Sequence, residues 1–140
     1  MRDFDDMAPR YEPLPVILFG AGQTIRTRRT LVSINNTATD VATFTGFPSK
    51  YLVSAMRVYD SSADLSVSLA TLGLYTGAGA TGPGVVIAAT MTGLTAPEKV
   101  LPMTIAVPDV LTAPTLYLHN GVPHGGAATV TVQLEIIDLS

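Results

Sequence analysis

Turn-forming residues interrupt this chain roughly every 8–12 residues, and that spacing restricts it to short strands. The clearest run is Thr129 to Ile137, where Val130, Val132, Leu134 and Ile136 alternate with Thr129, Thr131, Gln133 and Glu135. Strict alternation of this kind marks a half-buried strand, because successive side chains point to opposite faces. Thr24 to Ile34 is rich in Thr, Val and Ile and predicts another strand, with a slip near Arg28-Arg29 that suggests a bulge. Asn35-Asn36-Thr37 supplies turn chemistry, and Asp40 to Phe47 predicts a short strand ended by Gly46 and Pro48.

Tyr51 to Tyr59 fits two templates. Leu52, Ala55, Met56 and Tyr59 share a helical face with Ser49 as N-cap, whereas Leu52, Met56 and Val58 share a strand face. The Asp60–Asp64 turn and the β-rich run after it favour the strand. Leu65 to Thr92 then predicts a hairpin: two apolar runs flank a wide tip, Gly77 to Gly84, and the unit carries no charge. A change of phase between Leu69 and Leu72 suggests a second bulge near Thr71. Beyond the tip, Val85, Ile87, Ala89 and Met91 share one parity. Val100 to Val107 follows, with Leu101, Met103, Ile105 and Val107 on one face. Pro102 makes it an edge strand, since proline lacks the N–H that a central ladder requires. Thr115 to His119 is a short strand, closed by Asn120-Gly121.

About eight short strands and no clear amphipathic helix predict an all-β fold, a jelly-roll-like β-sandwich. Residues 1–13 mix charge with proline and predict an extended N-terminal arm, with Phe4, Met7 and Tyr11 as anchors. Residues 14–140 form the single expected domain.

Composition bears on partners. At 140 residues the chain is long enough to bury a core without metals or disulfides, and it contains no cysteine. The net charge of −3 gives no general support for nucleic-acid binding. The longest apolar runs, such as Leu14 to Phe19, fall far short of the ~20 residues a membrane helix needs. Charged residues make up 14% of the chain, against about 25% in ordinary globular proteins. Those in residues 65–140 are Glu98, Lys99, Asp109, Glu135 and Asp138 alone. So little charge predicts that much of the surface packs against other protein.

No catalytic constellation is legible. His119 and His124, with Asp109 as a third ligand, lack the convergence a metal site needs. The Asp60–Asp64 turn lacks the alternating oxygen ligands and closing glutamate of a calcium loop. Gly77 to Gly84 has the glycines of a phosphate loop but no Gly-Lys-Ser/Thr. There is no Gly-x-Ser-x-Gly elbow and no carboxylate pair of glycosidase type. The expectation is a non-enzyme without cofactor or metal. Arg26, Arg28 and Arg29 form one basic cluster without interleaved aromatics, suited to acidic groups across an interface or on another copy's arm.

Gly73-Leu-Tyr-Thr-Gly-Ala-Gly79, Leu94-Thr-Ala-Pro97, Leu116-Tyr-Leu118 and Ala127-Ala-Thr-Val-Thr-Val132 together resemble segments of small virion structural proteins of tailed bacteriophages. The resemblance covers about residues 50–140 and excludes the arm. It implies a structural role on the phage head: a capsid decoration (cement) or minor head protein, with the major capsid protein and further copies of itself, as a homotrimer, for partners. It implies no catalytic residues. The expected interface comprises Phe4, Met7, Tyr11, Arg26, Arg28, Arg29, Gly77, Gly79, Ala80 and Gly82. The alternatives are a neck, tail or head-fibre-base protein, or a carbohydrate- or receptor-binding jelly roll using Tyr11, Tyr51, Tyr59, Tyr75 and Tyr117.

Overall fold

The computed structural model describes residues 22–35, 39–106 and 109–140. Among them are eight strands and no helix: β1 (Thr24–Ser33), β2 (Thr39–Thr45), β3 (Tyr51–Tyr59), β4 (Thr71–Gly77), β5 (Thr81–Thr90), β6 (Val100–Pro102), β7 (Thr115–Val122) and β8 (Thr129–Asp138). They form two four-stranded sheets, ordered β1-β8-β3-β6 and β2-β7-β4-β5. The antiparallel pairs β1·β8, β2·β7, β3·β6 and β4·β5 are nested, so the chain runs as one long hairpin bent at the β4–β5 loop and rolled into two layers. That connectivity is a jelly roll. The expected arm, residues 1–13, lies outside the described residues.

Alternation produces the layers. In β8, Val130, Val132, Leu134 and Ile136 are buried, as their spacing predicts. In β7, Leu116 and Leu118 are buried and face the same core. The second sheet adds Phe44, Leu72, Leu74, Val85 and Val86; the first adds Val32, Tyr51, Val53, Met56 and Val58. Tyr51 is fully buried, stacks on Phe47 and donates its hydroxyl to the Ala113 carbonyl at 2.6 Å. Desolvation by burial pushes its pKa up to about 12. β6 is an edge strand, as Pro102 predicts.

Bulges shift several expected faces. Tyr51–Tyr59 is a strand, but Ser54 is an extra residue opposite β8, so the buried set is Tyr51, Val53, Met56 and Val58, and Leu52 turns outward. In β1 the irregularity falls between Arg29 and Val32, a little beyond the slip expected at Arg28-Arg29. Leu65 to Ala70 is a loop, closed by a Ser68 N–H to Leu65 carbonyl bond, and β4 begins only at Thr71. The phase change there is therefore a strand start and not a bulge. The hairpin tip is Ala78 to Ala80 alone: Gly77 pairs with Thr81, and Gly82, Pro83 and Gly84 belong to β5. Repeated register shifts along β4·β5 bury Val85 and Val86 together and expose Ile87 and Ala89, breaking the expected shared parity.

Leu72→Ala removes a fully buried side chain and is expected to cost ~2–5 kcal/mol in urea unfolding. Leu69→Ala, 72% exposed in the loop, is expected to change stability by less than ~1 kcal/mol. Above pH 10 an unfolded tyrosine ionises while buried Tyr51 does not, so the folded state holds the extra proton. Stability is fully present below pH 10 and falls as pH rises towards about 12. Urea midpoints measured across that range are expected to decline, and Tyr51→Phe is expected to flatten the decline.

Candidate interaction surface

Charge is segregated between the two sheets. The strands of the first carry Arg26, Arg28, Arg29, Arg57, Glu135 and Asp138. Those of the second carry Asp40 and His119 alone. Both stand on its outer face, because His119 alternates with buried Leu118 and Asn120 and lies opposite Asp40.

Asp40 is committed within the molecule. One carboxylate oxygen meets His119 Nδ1 at 3.0 Å, and the other accepts the Gly79 N–H at 2.8 Å. Tyr75 meets the His119 ring edge-on at 6.1 Å. The Asp40 and His119 side chains are only 23% and 13% exposed. The β4–β5 tip is thereby clipped to β2. Two glycines make the tip possible. A Cβ on Gly77 would fall 2.9 Å from the Thr81 carbonyl oxygen, closer than real Cβ contacts come. Gly79 has φ +69°, in the region open to glycine at least cost. Ala80 accepts φ +61°, and Gly82, inside β5, has φ +71°.

The remaining outer face of the second sheet presents Thr43, Thr45, Ala88 and Thr90, all exposed, and the register shift between Leu72 and Leu74 leaves Ile87 half exposed beside them. At one end of the sandwich four connections are laced together. The Leu65 N–H donates to the Leu94 carbonyl, Ser62 N–H to Thr129, Ile34 N–H to Ala128, and His124 N–H to Ile34. Ser68 Oγ lies 2.8 Å from His124 Nδ1, and Asn120 Nδ2 donates to the Ile34 carbonyl at 3.0 Å. From this laced end Val67 projects 88% exposed; on β1, Leu31 is 77% exposed. Leu31 has φ +53°, an uncommon backbone state for leucine, at the β1 irregularity.

The arginine cluster divides. Arg26 pairs with Glu135 at 3.1 Å within the chain. Arg29 stands at an inward register position, where Nε donates to the Thr43 carbonyl at 2.8 Å and the guanidinium lies 5.6 Å from the Phe44 ring centre. It closes the edge between the sheets. Arg28 is exposed. Phe4, Met7 and Tyr11 lie outside the described residues.

The conceivable ligands His119, His124 and Asp109 have separate neighbours: Asp40 for the first, Ser68 for the second, and an exposed position in the β6–β7 connection for Asp109. The Asp64 carboxylate accepts the Ser66 N–H at 2.9 Å, which lowers its pKa and makes a local turn. Of the tyrosines offered for sugar stacking, Tyr51 is a core residue, and Tyr59, Tyr75 and Tyr117 are only partly exposed. Sequence reasoning missed the Asp40–His119–Gly79 clip. Its members lie 79 and 39 positions apart, and only the register brings them together. Comparison with protein-family models, curated proteins and solved structures found no match.

Asp40→Ala removes the acceptor for both the Gly79 N–H and His119. The expected cost is about 1–3 kcal/mol in urea unfolding, with faster amide exchange at Gly79. Unchanged Gly79 exchange would show that the tip is held by other contacts.

Proposed function

We propose that this protein is a structural component of a virion, a decoration or cement protein that seats its neutral sheet and laced end on the shell of a phage head. The observation that carries this reading is the charge segregation. A freely exposed face normally holds charge for solubility. Here the sole carboxylate of the second sheet is consumed internally, which leaves threonine, alanine and isoleucine outward. Such a face loses little when it is desolvated, because burying hydroxyl and methyl groups avoids the cost of stripping water from ions. The phage-like sequence segments support the same reading and name the partner, the major capsid protein. Jelly rolls serve in viral capsids, although they also serve elsewhere, so the fold supports the reading without deciding it.

The mechanism is adhesive. Each Å² of apolar surface removed from water contributes ~25 cal/mol, and many copies bridging neighbouring capsomers add their effects. Self-association as a homotrimer would multiply the contacts each unit makes. The charged first sheet then stays towards solvent and keeps the particle soluble.

A test places charge on the neutral face. Thr43→Lys and Thr90→Lys lie at exposed positions and are expected to leave the melting temperature nearly unchanged. Each is expected to weaken binding to undecorated capsids, measured by co-sedimentation, by tenfold or more, since an unpaired lysine must be desolvated. Gln133→Glu, set between Arg28 and Arg57 on the charged sheet, is expected to have no effect. Equal binding by all three variants would contradict the reading.

A further inference from the structure

The outer face of the first sheet is built of cross-strand rows. In one of them Gln133 of β8 lies between Arg28 of β1 and Arg57 of β3. All three point outward. Gln133 alternates with buried Val132 and Leu134, and Arg57 with buried Met56 and Val58. Neighbouring strands stand ~4.8 Å apart, so the two arginine Cα atoms are about 10 Å apart with a side-chain amide between them. Beyond β3 the row ends at Pro102, which brings no charge.

The adjacent row shows how an arginine is neutralised on this face. Arg26 stands opposite Glu135, whose Oε2 meets the guanidinium at 3.1 Å while Oε1 accepts the Ser54 hydroxyl at 3.2 Å. Both Glu135 oxygens are therefore committed. The row on the other side holds Thr131 and Tyr59, and it brings no carboxylate. Arg28 and Arg57 pair with no carboxylate among the described residues. A glutamate at position 133 would bridge them both. Glutamine leaves two like charges on one row, an arrangement that costs energy until an anion enters.

We propose that Arg28, Gln133 and Arg57 form a binding site for a phosphate monoester. The charge matches, since a monoester carries about −1.5 to −2 near neutral pH against two guanidinium charges. The geometry matches as well. A phosphate presents three acceptor oxygens; each planar guanidinium fork serves one side, and the Gln133 amide donates between them. A carboxylate offers one charge and two oxygens, which fills one fork and leaves the second arginine unmatched. The site lies on the sheet opposite the neutral face. On the decoration reading it points away from the shell, but binding by the free protein does not depend on that reading.

The test is an NMR titration of the full chain with methyl phosphate at low ionic strength. Saturable shifts in the millimolar range are expected at the Gln133 side-chain amide and at the Arg28 and Arg57 Nε–H groups. Acetate at equal ionic strength is expected to bind at least ~fivefold more weakly. Arg28→Gln and Arg57→Gln are each expected to weaken phosphate binding ~tenfold or more, and Gln133→Glu to abolish it. Lys50→Gln removes the same charge from an exposed position outside the row and is expected to change binding less than ~twofold. Loss of phosphate binding by Gln133→Glu with capsid binding retained separates this site from the neutral face. Shifts that grow without saturating, equal weakening by Lys50→Gln, or undiminished binding by Gln133→Glu would overturn the proposal.

Discussion

The fold depends on antiparallel pairing between strands far apart in the chain. Thr24 lies against Ile137, Asp40 against His119 and Leu72 against Asn120. Neither sheet can be completed until an early strand has met a late one, β1 with β8 in the first and β2 with β7 in the second. Loop closure must precede the reward of these contacts, so folding is expected to be slow for a chain of this length. The same closure hides the apolar faces of β7 and β8, which each pair on both sides. Of the first sheet's two edges, β6 is three residues long and ends in Pro102, while β1 carries three arginines.

That closure also decides where charge appears. Alternation sends one residue in two to the core, and the identity of the other decides what each outer face offers. In the first sheet the outward set includes Arg26, Arg57 and Glu135. In the second it is threonine, tyrosine and alanine, with Asp40 turned to clip the β4–β5 tip. One layer therefore resembles an ordinary solvent face and the other a face prepared for contact. The clip links the two ideas: it engages both oxygens of the second sheet's one carboxylate within the molecule while holding the glycine-rich tip to β2.

Sequence alone carried the strands that keep strict alternation. β8 is legible because β-branched and apolar residues recur with the right period; Tyr51–Tyr59 fits a helix as well as a strand, and the turn and β-rich run after it favour the strand; Pro102 marks its strand as an edge. The strand count limits the fold to a sandwich, but the order of strands is a property of pairing between distant segments and leaves no local trace. Irregular pairing accounts for the misread faces. Ser54 is an extra residue inside a strand and shifts everything before it to the opposite face. Val67 and Leu69 mimic alternation within a loop, because Leu65, Ser68 and Ala70 are held inward by local hydrogen bonds and not by a ladder. The eight-residue tip shrank to three because Gly82-Pro83-Gly84, turn-like in composition, is accommodated in the bulged start of β5. Charge depletion was legible as a total; its confinement to one sheet required the topology.

The account rests on the neutral layer being covered by a shell. The most direct measurement is the copy number of this protein on purified phage particles, by quantitative mass spectrometry after washing at high salt. Apolar contacts resist salt while surface ion pairs are screened. The account predicts a fixed, high stoichiometry relative to the major capsid protein, retained through the wash. Absence from the particles, or release in salt to trace amounts, would contradict it.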